Sequence, residues 1–213
     1  MVEQIRALLA GVPEGDAARV PVYNALTRAL RDFVGMSEPC LAPQLVPAAE
    51  VHGNAYNPNV VAPPEMKLLH LSIQQDGVTM CIVGYAVPEG GTEIVDGFHR
   101  SQVCKGEARD GRKMASWQDV AARLRGYLPI SYIDKPADER QASTIRHNRA
   151  RGKHGVGQMS EIVQDLFFNA GWSDTRIAEH LGMEPDEVLR LRQIGGLADL
   201  FAAEEFSEAW EPA

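Results

Sequence analysis

Asp96-Gly97-Phe98-His99-Arg100 carry the side chains best suited to chemistry in this 213-residue chain. Ile94 and Val95 close an apolar run of the kind that forms a strand. Asp96-Gly97 is a turn signal, and residues 98–105 can continue as a helix. Gly97, His99 and Arg100 then stand where a strand hands over to a helix N-terminus. Unpaired backbone N–H groups and the positive end of the helix dipole favour an anion there. Glycine permits close backbone approach, His99 and Arg100 can donate to phosphate oxygens, and Asp96 can accept from a hydroxyl or a metal-bound water. An ordinary strand–helix turn with a surface arginine is the competing reading of the same residues.

A second set of donors lies in residues 144–154, where Arg146, Arg149, Arg151 and Lys153 surround Asn148 with no acid among them. Asn148, Arg149 and Arg151 are candidate phosphate contacts, and the physical model is a clamp closing on one polyphosphate. The competing reading is a solvated basic loop. A third set follows. Residues 174–181 and 185–194 read as two short helices joined by Gly182-Met183, with Ala178, Leu181, Val188 and Leu191 facing one another. That is a helix-turn-helix pattern, and Arg176, Arg190, Arg192 and Gln193 are its candidate DNA contacts. Glu184, Asp186 and Glu187 crowd the start of the second helix, where they repel phosphates and suit the helix dipole. A structural helical pair or a protein-docking surface is the alternative.

These elements need a framework, and the composition supplies one. Hydrophobic residues at 45% and charged residues at 23% are those of a globular protein. No apolar run is long enough to span a bilayer, and residues 1–11 lack a signal-peptide pattern, so the expected location is cytoplasmic. A net charge of −8 argues against a uniformly basic nucleic-acid binder, but the charge is uneven. Residues 98–125 hold seven Lys/Arg against three acids, and residues 199–213 hold five acids and no base. Cys40, Cys81 and Cys104 show no metal spacing and read as reduced structural thiols; Cys104, near the turn, has a reactive role as its alternative. No zinc spacing is present, so no metal ligands are assigned.

Along the chain, residues 1–10 and 23–34 have helical spacing, with Leu26, Leu30, Phe33 and Val34 on one face and a loop over 12–21 between them. A short strand is expected near Leu45-Val46, a helix over 64–75, strands over 79–87 and 92–95 joined by a hairpin turn at 88–91, and a strand over 128–133. Ser116-x-x-Asp119 has the form of a capping box opening a helix to residue 125. A helix over 138–147 runs into the basic segment. From 157 the chain reads as all-helical, with a helix over 158–169, and Gly195-Gly196 ends the last helix.

With these residues in view, the order of elements resembles the ParB/sulfiredoxin superfamily, over roughly residues 45–197. The turn Glu93-Ile94-Val95-Asp96-Gly97-Phe98-His99-Arg100 matches the superfamily's Gly-x-x-Arg turn, which binds nucleotide phosphates. His147-Asn148-Arg149-Ala150-Arg151 is similar to its Asn-centred second box. The stretch over 145–154 looks most like the IbrB-like coactivators of mobile elements and prophages. The resemblance implies an α+β ParB/sulfiredoxin-like domain followed by an all-α helix-turn-helix domain. The boundaries are a helical extension over 1–36, the nucleotide-binding domain over 37–155, the helical domain over 156–198 and an acidic tail over 199–213. It implies a nucleotide such as CTP, ATP or ADP, with or without Mg, held by Asp96, Gly97, Phe98, His99, Arg100, Asn148, Arg149 and Arg151. It also implies DNA and a protein partner related to phosphoadenosine-phosphosulfate reductases. The expected function is a DNA-binding regulator of the partition or coactivator type.

Departures from the superfamily pattern bear on activity. His147 stands where CTP-hydrolysing ParB proteins carry Glu. Phe98 holds the place of the sulfiredoxin catalytic Cys, which argues against sulfinic-acid reduction. Asp96 and His99 would be the catalytic pair if the chain were instead an NTPase, kinase or nuclease. A protein–protein adaptor is the third reading.

Overall fold

The structure, a computed structural model, describes residues 1–54, 61–149 and 156–201, without the side chains of 148, 149, 156, 158 and 195–201. No described helix is long and apolar enough to cross a membrane. The chain divides into two compact units at Lys135/Pro136.

The first unit is α+β. Helices α1 (Val2–Ala10) and α2 (Asp16–Val34) precede strand β1 (Gln44–Pro47), the short β2 (Val51–His52) and helix α3 (Pro63–Asp76). Strands β3 (Ile82–Ala86) and β4 (Thr92–Asp96) form an antiparallel hairpin. Helices α4 (Phe98–Lys105) and α5 (Gln118–Leu124) and strand β5 (Tyr127–Tyr132) complete it. The sheet order is β1-β5-β3-β4-β2, with β3 parallel to β5 and β2 parallel to β4. Val51, Ile73, Ile82, Ile94, Val103, Val120, Leu128 and Ile130 fill one core between sheet and helices. The period-2 pattern of β4 places Thr92 and Ile94 in that interior. β4 is flanked by β2 at Thr92 and Glu93 and stays paired with β3 as far as Asp96, at its final turn.

The second unit is helical: α6 (Ala137–Arg149), α7 (Val156–Gln164) with a π-helical turn over Asp165–Asn169, α8 (Asp174–Leu181) and α9 (Pro185–Phe201). Ala142 and Ile145 of α6 are fully buried among Met159, Val163, Leu166, Ile177 and Leu181. The helix over 137–149 thus belongs to the helical core. The fold divides ahead of the boundary at 155 read from the sequence.

Three local expectations differ from what forms. α2 begins at Asp16 rather than after residue 21 and carries Pro21 inside it. Proline removes one N–H bond, but α2 is tied to β1 by reciprocal bonds, Asn24 Nδ2 to the Leu45 carbonyl at 2.9 Å and Leu45 N–H to Asn24 Oδ1 at 2.8 Å. The capping box does not form. Helix α5 starts at Gln118 without a side-chain cap, and Asp119 instead accepts from Gln74 Nε2 of α3 at 2.8 Å. Helix α9 continues through Gly195-Gly196 to Phe201; glycine in a helix interior costs only about 1 kcal/mol each, too little by itself to end the helix. The face of Leu30, Phe33 and Val34 is exposed, Phe33 by 86%.

Leu128 is wholly buried between sheet and helices. Leu128→Ala should lower the unfolding free energy of the first unit by about 2–5 kcal/mol, measured by urea denaturation; a cost within ~0.5 kcal/mol would show that the core is not packed as described.

Candidate functional site

β4 ends at Asp96 and α4 begins at Phe98, with Gly97 as the hinge between them. Gly97 has φ 93° and ψ 24°, a left-handed conformation that side chains with Cβ rarely adopt. A Cβ there would lie 2.8 Å from Arg100 Nη2 and 2.9 Å from its Nε. The guanidinium therefore folds back over the glycine. It donates to Asp96 Oδ2 at 3.1 Å, with the Asp96 side chain 5% and the Arg100 side chain 11% exposed. Ser101 N–H donates to the Gly97 carbonyl at 2.9 Å and Ser101 Oγ to the Phe98 carbonyl at 2.6 Å, closing the first turn. The strand–turn–helix read from the sequence is present, and Arg100 is a largely enclosed cation paired with Asp96.

Around this turn the chain supplies groups the sequence did not single out. Asn54 Nδ2 donates to the Ile94 carbonyl at 2.7 Å; its Oδ1 and Arg100 Nε are buried with no partner among the described residues. A Cβ on Gly53 would lie 2.7 Å from the Phe98 ring, so that glycine admits the aromatic side chain. Arg109 sits 5.6 Å from the Phe98 ring centroid. Lys105 Nζ donates to the Val51 carbonyl at 2.5 Å, fastening the end of α4 to β2. Burial lowers the pKa of His99, and the Arg109 charge lowers it further, so the imidazole is neutral near pH 7. Burial pushes the Cys104 thiol up to about 11 despite Arg100 and Arg123. At 3% exposure Cys104 packs as a core residue, in line with the structural reading of its thiol.

Of the basic segment, Arg146 donates from Nη1 to the His180 carbonyl at 3.3 Å. The side chains of Asn148 and Arg149 lie outside the description, and Arg151 lies outside the described residues. The clamp they would form with the turn is therefore a sequence expectation only. Among the described residues no three His, Cys, Asp or Glu side chains gather as a metal site.

The helix-turn-helix is built as its spacing suggests. Ser173 caps α8 by accepting from Arg176 N–H at 3.2 Å, and Gly182 ends it in the left-handed region at φ 64°. Ile177, Ala178, Leu181, Val188 and Leu191 form the shared core. Ser160 Oγ donates to the Leu191 carbonyl at 2.5 Å, fixing α9 on α7. The four expected DNA contacts fall into two pairs. Arg192 forms two bonds to the Asp174 carboxylate, both at 2.8 Å, and its guanidinium lies 3.3 Å from the Phe167 ring centroid. Arg176 donates to Glu139 Oε1 at 2.8 Å and stacks 3.8 Å from the Trp172 ring centroid. Both guanidinium groups are engaged inside the helical unit. Arg190 and Gln193 are exposed on α9.

Residues 154–203 match the model of the IbrB-like C-terminal HTH domain. Over 211 residues the chain is 42% identical to "Uncharacterized protein YbdM" of Escherichia coli (strain K12), across 99% of this chain and 95% of that protein. The chain belongs to the YbdM family. The IbrB-like affinity read from the basic stretch is met by the C-terminal match, and the α+β plus helix-turn-helix fold is the one observed. Two solved structures of C-terminally truncated ParB from Caulobacter crescentus are also similar to this YbdM-family chain. The one complexed with CTP-gamma-S has 16% identity and a TM-score of 0.39 over 76% of this chain and 87% of that one. The one complexed to the centromeric parS site has 16% identity and a TM-score of 0.45 over 77% and 80%. Likeness at that level says nothing about ligands of the YbdM-family chain.

The pKa of His99 is depressed in the folded state, so stability should fall as pH drops below the ordinary value of 6.5, where the unfolded chain takes up a proton that the native state resists. His99→Gln should flatten that slope in urea titrations run across this pH range; an unchanged slope would mean that His99 is not desolvated.

Proposed function

We propose that this protein is a DNA-binding regulator whose α+β unit binds a nucleoside di- or triphosphate at the β4–α4 turn. The observation that carries the DNA part is the capped α8–Gly182–α9 motif inside the IbrB-like HTH match. α9 is held from below by Val188 and Leu191, leaving Arg190 and Gln193 on its outer face. Arginine reads guanine or phosphate and glutamine reads adenine, so this pair can both position and specify. Glu184 and Asp186 are exposed at the start of α9 and repel phosphate, which favours contact further along the helix.

The nucleotide part is supported by the turn itself. Gly97 leaves room for close approach, the first-turn amides of α4 point out of the helix, and Arg100 and Asn54 each keep a buried polar atom without a partner among the described residues. A phosphate at this turn would gain charge-assisted bonds from a guanidinium already oriented by Asp96. CTP, ATP and ADP all carry the required chemistry. The resemblance adds Asn148, Arg149 and Arg151 to the same reading, and with it a protein partner of the reductase-related kind.

Two experiments test the two parts. Duplex binding followed by anisotropy should weaken steeply with salt, and Arg190→Ala should reduce the salt slope by about one phosphate contact. Arg192→Ala should act differently, lowering thermal stability by removing a cation held between Asp174 and Phe167. Duplex binding that is absent at low salt would sink the DNA reading. Calorimetry with CTP, ATP and ADP should find one that binds, with Arg100→Lys losing about tenfold or more, equivalent to ~1.4 kcal/mol. Failure of all three nucleotides to bind would remove the nucleotide reading and leave the DNA reading standing.

A further inference from the structure

A hollow of about 370 Å³ opens in the α+β unit beside α2 and the edge strand β1. It shares no lining residue with the β4–α4 turn. Its charged and polar walls are Asn24, Arg28, Arg31, Gln44, Glu50 and Tyr132. Its volume sits at the small end of the ~300–1,000 Å³ range typical of small-molecule sites.

The walls are pre-set by a buried side chain. Gln44 is 5% exposed, yet it is a glutamine on a strand that packs against a helix. Its Nε2 donates to Thr27 Oγ1 at 2.9 Å and to the Ala42 carbonyl at 3.0 Å, and its Oε1 accepts from Arg28 Nη1. The Arg28 head group is thereby held beside the hollow rather than released to solvent. Arg31 lies three residues further along the same helix, and like charges at that spacing repel by a few tenths of a kcal/mol. Among the described residues Arg31 pairs only with its neighbour Asp32, whose side chain is 66% exposed, a pair worth no more than ~1 kcal/mol. Glu50 lines the same hollow. Among the described residues neither Arg28 nor Glu50 has an ion-pair partner, and they do not pair with each other. Tyr132 also lines it, with its hydroxyl held 2.7 Å from Thr92 Oγ1.

Two guanidinium groups, a fixed amide and a separate carboxylate around one small hollow match a ligand with opposite polarity at its two ends. We propose that this hollow binds a small metabolite whose carboxylate or phosphate meets Arg28 and Arg31 and whose amino or hydroxyl group donates to Glu50. An anion between the two arginines relieves their repulsion, and a donor at Glu50 supplies that carboxylate with a partner. The α2 helix, which otherwise only covers the sheet edge, becomes a ligand-sensing wall.

The test uses the full chain and three probes: 4-aminobutyrate (carboxylate and amine), glycerol 3-phosphate (phosphate and hydroxyls) and succinate (carboxylates with no donor). Titration by calorimetry, with amide shifts of Gln44 and Leu45 followed by NMR, should show 4-aminobutyrate or glycerol 3-phosphate binding below about 1 mM and more tightly than succinate. Which of the two binds identifies the anionic group. Glu50→Gln, at an exposed position without an ion pair, should keep the thermal midpoint while weakening the successful probe about tenfold. Arg31→Ala should weaken it by a similar factor, so a folding defect in Arg28→Ala would not blur the outcome. If neither donor-bearing probe saturates by about 10 mM, or if both variants bind as wild type does, the proposal is wrong.

Discussion

The contact on which the α+β unit's proposed chemistry depends is the buried pair of Asp96 and Arg100 across Gly97. Charges this enclosed stay ionised only when paired, and removing one partner typically costs ~3–5 kcal/mol because the other is left in a poor solvent. The pair therefore welds the last residue of β4 to the first turn of α4. Only glycine fits the hinge, since its left-handed φ and the overlying guanidinium leave no place for a Cβ. The cost of enclosing the arginine is offset by its bond to Asp96. The Lys105 bond to the Val51 carbonyl anchors the other end of α4, so the helix cannot drift from the sheet that positions it.

The helical unit uses cations in the opposite way. Arg176 sits over the Trp172 ring and Arg192 over the Phe167 ring, and each is fixed by a carboxylate. A planar guanidinium can stack on a ring and bond an acid at the same time, which a lysine could not do as well. These two side chains hold α8, α9 and the turn after α7 in register. The exposed residues of α9 are then presented by a frame that does not depend on them. The same division of labour appears at α2, where Gln44 orients Arg28 and the hollow beside it inherits a fixed charge.

Much of this was legible in the chain itself. Strands and helices of the α+β unit follow from period-2 and period-3.6 patterns, and the strand–Gly97–helix turn from Asp96-Gly97 after Ile94-Val95. Ser173 and Gly182 mark the ends of α8 unambiguously, because cap chemistry is local. Where local signals misled, a distant partner had the stronger claim. Asp119 bonds Gln74 rather than capping α5, and Pro21 is tolerated because Asn24 ties α2 to Leu45.

Sequence by itself determined the class of each element, the position of the glycine hinges and the identity of the side chains that could meet an anion or a groove. All of these rest on backbone preference and spacing within a few residues. Tertiary structure alone decided which arginines are available. Arg176 and Arg192 are taken up by aromatic rings and acids 4 to 37 residues away, Arg100 turns back on Asp96, and Arg190 stays free to meet solvent. The hollow beside α2 was likewise invisible, since Arg28, Gln44, Glu50 and Tyr132 meet only when the sheet places its edge strand against that helix. Pairing of charges depends on three-dimensional distance, and distance between remote residues is the one quantity a linear pattern does not contain.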